Sequence, residues 1–141
     1  MRPILIDTNA YVAFKWGEQA ILEVMQLAEV IGVSPIMLGE LLAGFEGGNK
    51  AKQNRCELEQ FLESSRIKIY PITSDTAQFF SLIFSNLKRK GRPIPTNDIG
   101  IAAQALEHGC VVCTYDKHFE AVEGICVGNT ITDLVIGKEN G

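Results

Sequence analysis

Apolar residues in this chain fall into short unbroken runs, separated by longer stretches in which they recur every third or fourth position. Short runs read as buried strands, and the 3.6-residue period reads as helix packed on one face. Ile4 to Ile6 predicts a first strand, and Glu18 to Val30 a helix stopped by Gly32. Ser34 and Pro35 supply an N-cap and a first helical residue for a helix through about Phe45, ended by Gly47 and Gly48. Asn49 to Ser64 predicts a further helix with Leu58, Phe61 and Leu62 on one side, and Ile67 to Tyr70 a short strand. Ser74 and Asp75 cap a helix to about Lys90, closed by Gly91, Pro93 and Pro95. Another helix runs from about Asp98 to His108 and stops at Gly109, while Cys110 to Thr114 and Ile125 to Val127 are the last strands.

Strands separated by helices imply parallel pairing through crossover connections. The expected fold is therefore α/β, a three-layer sandwich with a central, mostly parallel sheet flanked by helices. No repeat or linker divides the 141 residues, so one domain over residues 1–141 is expected. Ligands of such sheets gather outside the carboxyl ends of the strands. Asp7 and Asp116 both lie just past apolar strands and are candidates for that edge.

A hydrophobic share of 46% with 21% charged residues argues against disorder. No apolar run approaches the ~18 residues of a membrane span, and Met1-Arg2-Pro3 leads into a strand rather than a signal peptide. A cytoplasmic protein is expected. Cys110 and Cys113 form a CxxC, but residues three apart on a strand point to opposite faces and cannot share a metal. Together with Cys56 and Cys126 they read as buried thiols. The net charge of −4 counts against a nucleic-acid ligand until its distribution is considered. Lys88, Arg89, Lys90 and Arg92 crowd the approach to Asp98, with a looser group at Lys50, Lys52 and Arg55. Cations also favour a helix C-terminus, so the first cluster has a structural reading beside the phosphate-contacting one.

Four acids sit where a carboxylate is awkward for folding. Asp7 follows Ile4-Leu5-Ile6, and Asp116 follows Val111-Val112-Cys113-Thr114. Each could cap the turn after it. Asp98, on a wheel of about 100° per residue, heads the apolar face formed by Ile101, Ala102, Ala105 and Leu106, which a simple cap does not require. Glu40 is mid-helix, beside Ile36, Ala43 and Gly44, so capping cannot explain it. Carboxylates that converge in a partly apolar pocket repel one another unless a divalent cation compensates, and hard oxygen ligands suit Mg²⁺ or Mn²⁺. His108 and His118 could suggest acid–base chemistry without metal, but each reads more simply as decoration of a helix end.

With these residues in place, the chain resembles the PIN-domain ribonucleases, specifically the VapC-type toxins of VapBC toxin–antitoxin modules. The matching pieces are the strand ending Ile6-Asp7-Thr8-Asn9, Glu40 within Pro35 to Gly44, the segment Gly91 to Ala105 around Asn97-Asp98, and Thr114-Tyr115-Asp116-Lys117-His118-Phe119. The resemblance implies an endoribonuclease dependent on Mg²⁺ or Mn²⁺, leaving 5′-phosphate and 3′-hydroxyl ends. It gives Asp7, Glu40, Asp98 and Asp116 as catalytic and metal-holding acids, with Thr8, Asn9, Asn97 and Thr114 as polar residues around them. Tyr115 stands where relatives often carry Asn. Implied partners are RNA, contacted through Lys88, Arg89, Lys90 and Arg92, a cognate antitoxin and a second copy of the chain. Apolar residues at Ile21, Leu22, Val24 and Met25, and at Phe79, Phe80, Leu82, Ile83 and Phe84, exceed what one core face needs and suit such partners.

Two rivals come from other classes. A phosphotransferase using Asp7 as a phosphorylated nucleophile is disfavoured because Asn9 stands where haloacid-dehalogenase-like enzymes carry a second Asp. A PIN-like module that binds RNA or protein without cutting is disfavoured by the intact acidic quartet, which costs stability unless metal chemistry uses it.

Overall fold

In the computed structural model, which describes residues 2–137, β1 (Ile4–Ile6), β2 (Ile31–Val33), β3 (Ile67–Ile69), β4 (Val111–Cys113) and β5 (Val127–Gly128) form one sheet. The strand order is β3-β2-β1-β4-β5, and every neighbouring pair is parallel. The alternation of side chains divides the core in two. Ile4 and Ile6 of β1 and Val111 and Cys113 of β4 face α1 (Thr8–Lys15), α2 (Gln19–Leu27), α3 (Pro35–Glu46) and α4 (Ala51–Leu62). Leu5 and Val112 face α5 (Ser74–Lys90) and α6 (Thr96–His108) on the other side. Helix, sheet and helix make the three layers expected for an α/β chain with parallel strands. A 3-10 turn at Lys117–Ala121 and a π-helical segment at Thr132–Gly137 follow β4 and β5. No helix among the described residues is long and apolar enough to cross a membrane.

The pattern of the sequence conceals two elements. Helix α1 follows β1 with only Asp7 between them, and β2 lies where the sequence predicts a helix stop at Gly32. Helix α2 ends at Leu27, and the chain continues directly into the buried strand Ile31–Val33. Gly32 belongs in that strand because Tyr70 packs over it. A Cβ at position 32 would lie 2.3 Å from Tyr70 Cε2 and 3.1 Å from Leu5 Cδ1. Glycine here marks a close approach rather than the end of a helix.

Of the apolar residues expected in surplus on α2, Ile21, Val24 and Met25 are buried against the sheet and Leu22 is half-buried, while Leu27 at the end of the helix is exposed. Helix α5 differs. Ile83 and Leu87 enter the core, whereas Leu82 and Phe84 are exposed at 64% and 45%. Cys110 and Cys113 are buried on opposite faces of the sheet and Cys126 is also buried, but Cys56 is exposed on α4.

Candidate metal centre

Strands β1 and β4 run side by side with Ile6 opposite Cys113, so Asp7 and Thr114 leave the sheet together at its carboxyl edge. The Asp7 amide donates to the Cys113 carbonyl at 2.9 Å. Asp7 occupies the N-cap position of α1, yet its side chain makes no capping hydrogen bond. Thr114 Oγ1 instead donates to Asp7 Oδ2 at 2.9 Å. The carboxyl group belongs to a residue only 4% exposed. Burial pushes its pKa up to about 6; the Thr8 amide and the Thr114 hydroxyl pull it down, and the charges of Asp98 and Glu40 add to the rise.

Thr114 also accepts the Asp116 amide at 2.9 Å, so one buried hydroxyl fixes the Asp7 carboxylate and the backbone that carries Asp116. Asn9 completes this joint by accepting the Tyr115 amide at 3.0 Å. Asp116 caps the 3-10 turn by accepting the His118 amide at 2.9 Å. Capping does not exhaust it, because the same Oδ1 lies 3.0 Å from His118 Nδ1.

Asp98 sits in the first turn of α6 and is 8% exposed. Two residues further on, a Cβ at Gly100 would lie 2.5 Å from Ile36 Cδ1, so α6 and α3 approach closely. Glu40 follows Ile36 by four residues on α3, which puts both on one face. Thr8 Oγ1 donates to Glu40 Oε1 at 3.0 Å, holding this exposed carboxylate at the mouth of the site. Burial raises the pKa of Asp98, His118 lowers it by hydrogen bonding, and the charges of Asp116 and Glu40 raise it again.

His118, which the sequence presents as decoration of a helix end, instead reaches two of the acids. Its Nδ1 lies 3.0 Å from Asp98 Oδ2 as well as from Asp116 Oδ1, and the hydrogen bond to Asp98 and the charge of Asp116 raise its pKa. The donor atoms of Asp98, Asp116 and His118 all lie within 4.8 Å of one another. Asn97 is exposed, and among the described residues it has no hydrogen bond to the four acids.

The basic residues of the run have different surroundings. Lys90 Nζ donates to the Ala121 carbonyl at 3.0 Å and pairs with Glu123 at 3.2 Å, tying α5 to the 3-10 turn. Lys88 borders a cavity with Phe84, Pro93 and Ile94, while Arg89 borders a different one with Leu106 and Val122. Arg92 is exposed in the connection to α6.

The donor set fits a hard divalent cation. Carboxylate oxygens dominate it, two of the acids are buried, and mutual charge raises the pKa of both. Such a group of acids is more stable with a cation among them than without one.

A family model described as the PIN domain matches residues 4–125. The chain is 30% identical to the protein named Ribonuclease VapC2 of Haemophilus influenzae over 134 residues, covering 93% of this chain and 100% of that one. Among solved structures, it matches VapBC2 of Rickettsia felis bound to a DNA fragment from the promoter, with a TM-score of 0.81 and 25% identity over 91% of this chain and 98% of that one. DNA-bound VapBC of Salmonella typhimurium matches with a TM-score of 0.80 and 30% identity, again over 91% of this chain and 98% of that one.

Proposed function

The chain belongs to the PIN-domain family, and on that footing we propose that it is a toxin-type endoribonuclease using Mg²⁺ or Mn²⁺ to hydrolyse RNA phosphodiester bonds. The observation that carries the reading is the joint at the sheet's carboxyl edge, where Thr114 and His118 link Asp7, Asp98 and Asp116. Asp7, Asp98, Asp116 and Glu40 would hold the ion, some directly and some through water, because Mg²⁺ keeps much of its hydration. When bound, the ion would acidify water for attack on phosphorus and offset negative charge building on the phosphate oxygens. Thr114 keeps the Asp7 carboxylate oriented, and Thr8 does the same for Glu40. Burial of Asp7 and Asp98 makes their charged forms costly without a counter-ion, which sharpens their preference for a cation. Lys88, Arg89 and Arg92 would meet RNA phosphates, with Lys90 held in its ion pair.

The named relatives with solved structures are toxin–antitoxin pairs, which supports a cognate antitoxin as partner. Two exposed apolar surfaces suit protein partners: Leu82 and Phe84 on α5, and Trp16, 82% exposed beside a groove lined by Tyr11, Leu41 and Phe45. A homodimer is the expected form in solution, and a monomer by light scattering at tens of micromolar would reject it.

The decisive experiment is RNA cleavage with Mg²⁺ or Mn²⁺, with chelator, and with Asp7→Asn. Cleavage yielding 5′-phosphate ends should require the metal and be lost in the variant. Equal cleavage in chelator, or by the variant, would overturn the proposal.

A further inference from the structure

Between the hydroxyl that orients Asp7 and the carboxylate of Asp116 stands Tyr115, an aromatic residue 38% exposed. Its position is fixed from both ends. The backbone amide donates to Asn9 Oδ1 in the first turn of α1 at 3.0 Å, and the phenol hydroxyl donates to Glu18 Oε2, at the start of α2, at 3.1 Å. The flanking backbone is held too, by Asn129 Nδ2 donating to the Thr114 carbonyl at 3.3 Å and by the Asp116 amide donating to Thr114 Oγ1. The ring therefore spans from the first turn of α1 toward the α1–α2 connection, with its long axis held at both ends. Core packing does not demand this, since the residue is outside both buried clusters.

We infer that Tyr115 is a preordered platform on which a nucleobase flanking the scissile phosphate stacks, a reading that rests on the ribonuclease assignment above. The chemistry next to the acids favours a base over any other part of RNA. Glu18 at the phenol tip and Asp116 at the backbone both repel phosphate, whereas the ring between them is uncharged and amphipathic. Single-stranded bases splayed onto aromatic side chains are the common mode of RNA recognition, and stacking tolerates every base because each has a π face. Holding the ring beforehand spares the entropy of ordering it on binding. In a chain of net charge −4, which cannot rely on general electrostatic attraction, an uncharged contact at the site has added value.

The test uses short single-stranded RNA carrying 2-aminopurine, titrated in chelator onto wild type, Tyr115→Phe and Tyr115→Leu, with thermal midpoints to verify folding. Tyr115→Phe loses the Glu18 bond but keeps the ring; Tyr115→Leu keeps apolar bulk but loses the π face. Stacking on a preordered ring predicts retained quenching with affinity weakened only about two- to threefold for Phe, which keeps the ring but not its tether, and lost quenching with a dissociation constant raised about tenfold for Leu. Folded Phe and Leu variants that are equally defective would make the residue a strut for α2 and overturn the inference. Unchanged RNA binding by Leu would also overturn it, and loss of antitoxin capture in that variant would assign the ring to a protein contact. Cleavage by wild type with Mg²⁺ is read separately: quenching without cleavage refutes the nuclease reading alone, and cleavage without quenching refutes the platform alone.

Discussion

Asp7 places a carboxyl group where water barely reaches, and its pKa of about 6 against the ordinary 3.8 makes that burial measurable. The folded chain binds a proton at Asp7 more tightly than the unfolded one, so this contribution to stability is complete below about pH 4 and lost as pH rises through about 6. In chelator, Asp7→Asn should gain on wild type over that window and hold a constant advantage above it, on the order of 2–3 kcal/mol at neutral pH. Denaturation midpoints of both proteins across pH 4 to 8 check this; a difference independent of pH would show that the carboxyl is unperturbed. The same burial, together with the nearby charges of Asp98 and Glu40, predicts a metal response. If Mg²⁺ binds only the folded state, ~100-fold excess over its dissociation constant should add about 2.7 kcal/mol to wild type. Asp98→Asn, still folded, should lose most of that gain, and an equal thermal shift in both would count against a cation among the acids. Glu40 and Asp98 were legible as candidates because capping and amphipathic pattern left them unexplained, whereas Asp7 and Asp116 each also read as caps. His118 was not legible, because its partner Asp98 lies 20 residues away and only the fold brings the two together.

Helices with strong caps were the easily read elements. Ser34 accepts the Ile36 amide ahead of Pro35 at the start of α3, and the run Lys88, Arg89, Lys90 ends α5 before Gly91, as their order in the sequence implies. Strand β2 resisted for a physical reason: three residues with a central glycine offer neither alternation nor a long apolar run, and glycine is also the usual helix terminator. What requires glycine is the Tyr70 ring, itself stacked on His108 at 4.1 Å and therefore unable to retreat freely. Gly32→Ala should cost about 1–3 kcal/mol, the range for overpacking a well-filled interior. A urea midpoint unchanged from wild type would mean that Tyr70 can move aside and that the strand does not depend on glycine. Gly100 plays a comparable part nearer the site, since its contact with Ile36 sets how closely α3, and hence Glu40, approaches Asp98. The extents of α3 and α5 were readable locally, but such interhelical distances depend on pairs of residues far apart in sequence.

The molecule as a whole is acidic, and Asp98 and Asp116 draw together with His118 at the place where a polyanion is proposed to bind. Affinity for RNA must then come from a few cations arranged around the mouth, a bound divalent ion and uncharged contacts, rather than from overall charge. Of the four basic residues expected to serve, Lys90 is already paired with Glu123, which leaves Lys88, Arg89 and Arg92, and of these Lys88 and Arg92, nearest the connection into α6, are the pair to test. Replacing both with Gln should weaken binding to all single-stranded sequences alike, because phosphate contacts carry no base information. The slope of log K against log salt should flatten by about 1.4, at ~0.7 per lost phosphate contact on a single strand. Stabilisation by Mg²⁺ should persist, since neither residue is among the proposed ligands. If the double variant matched wild type across a salt series, these cations would be assigned to closing α5, and the phosphate path would shift to Lys50, Lys52 and Arg55 on the side of α4.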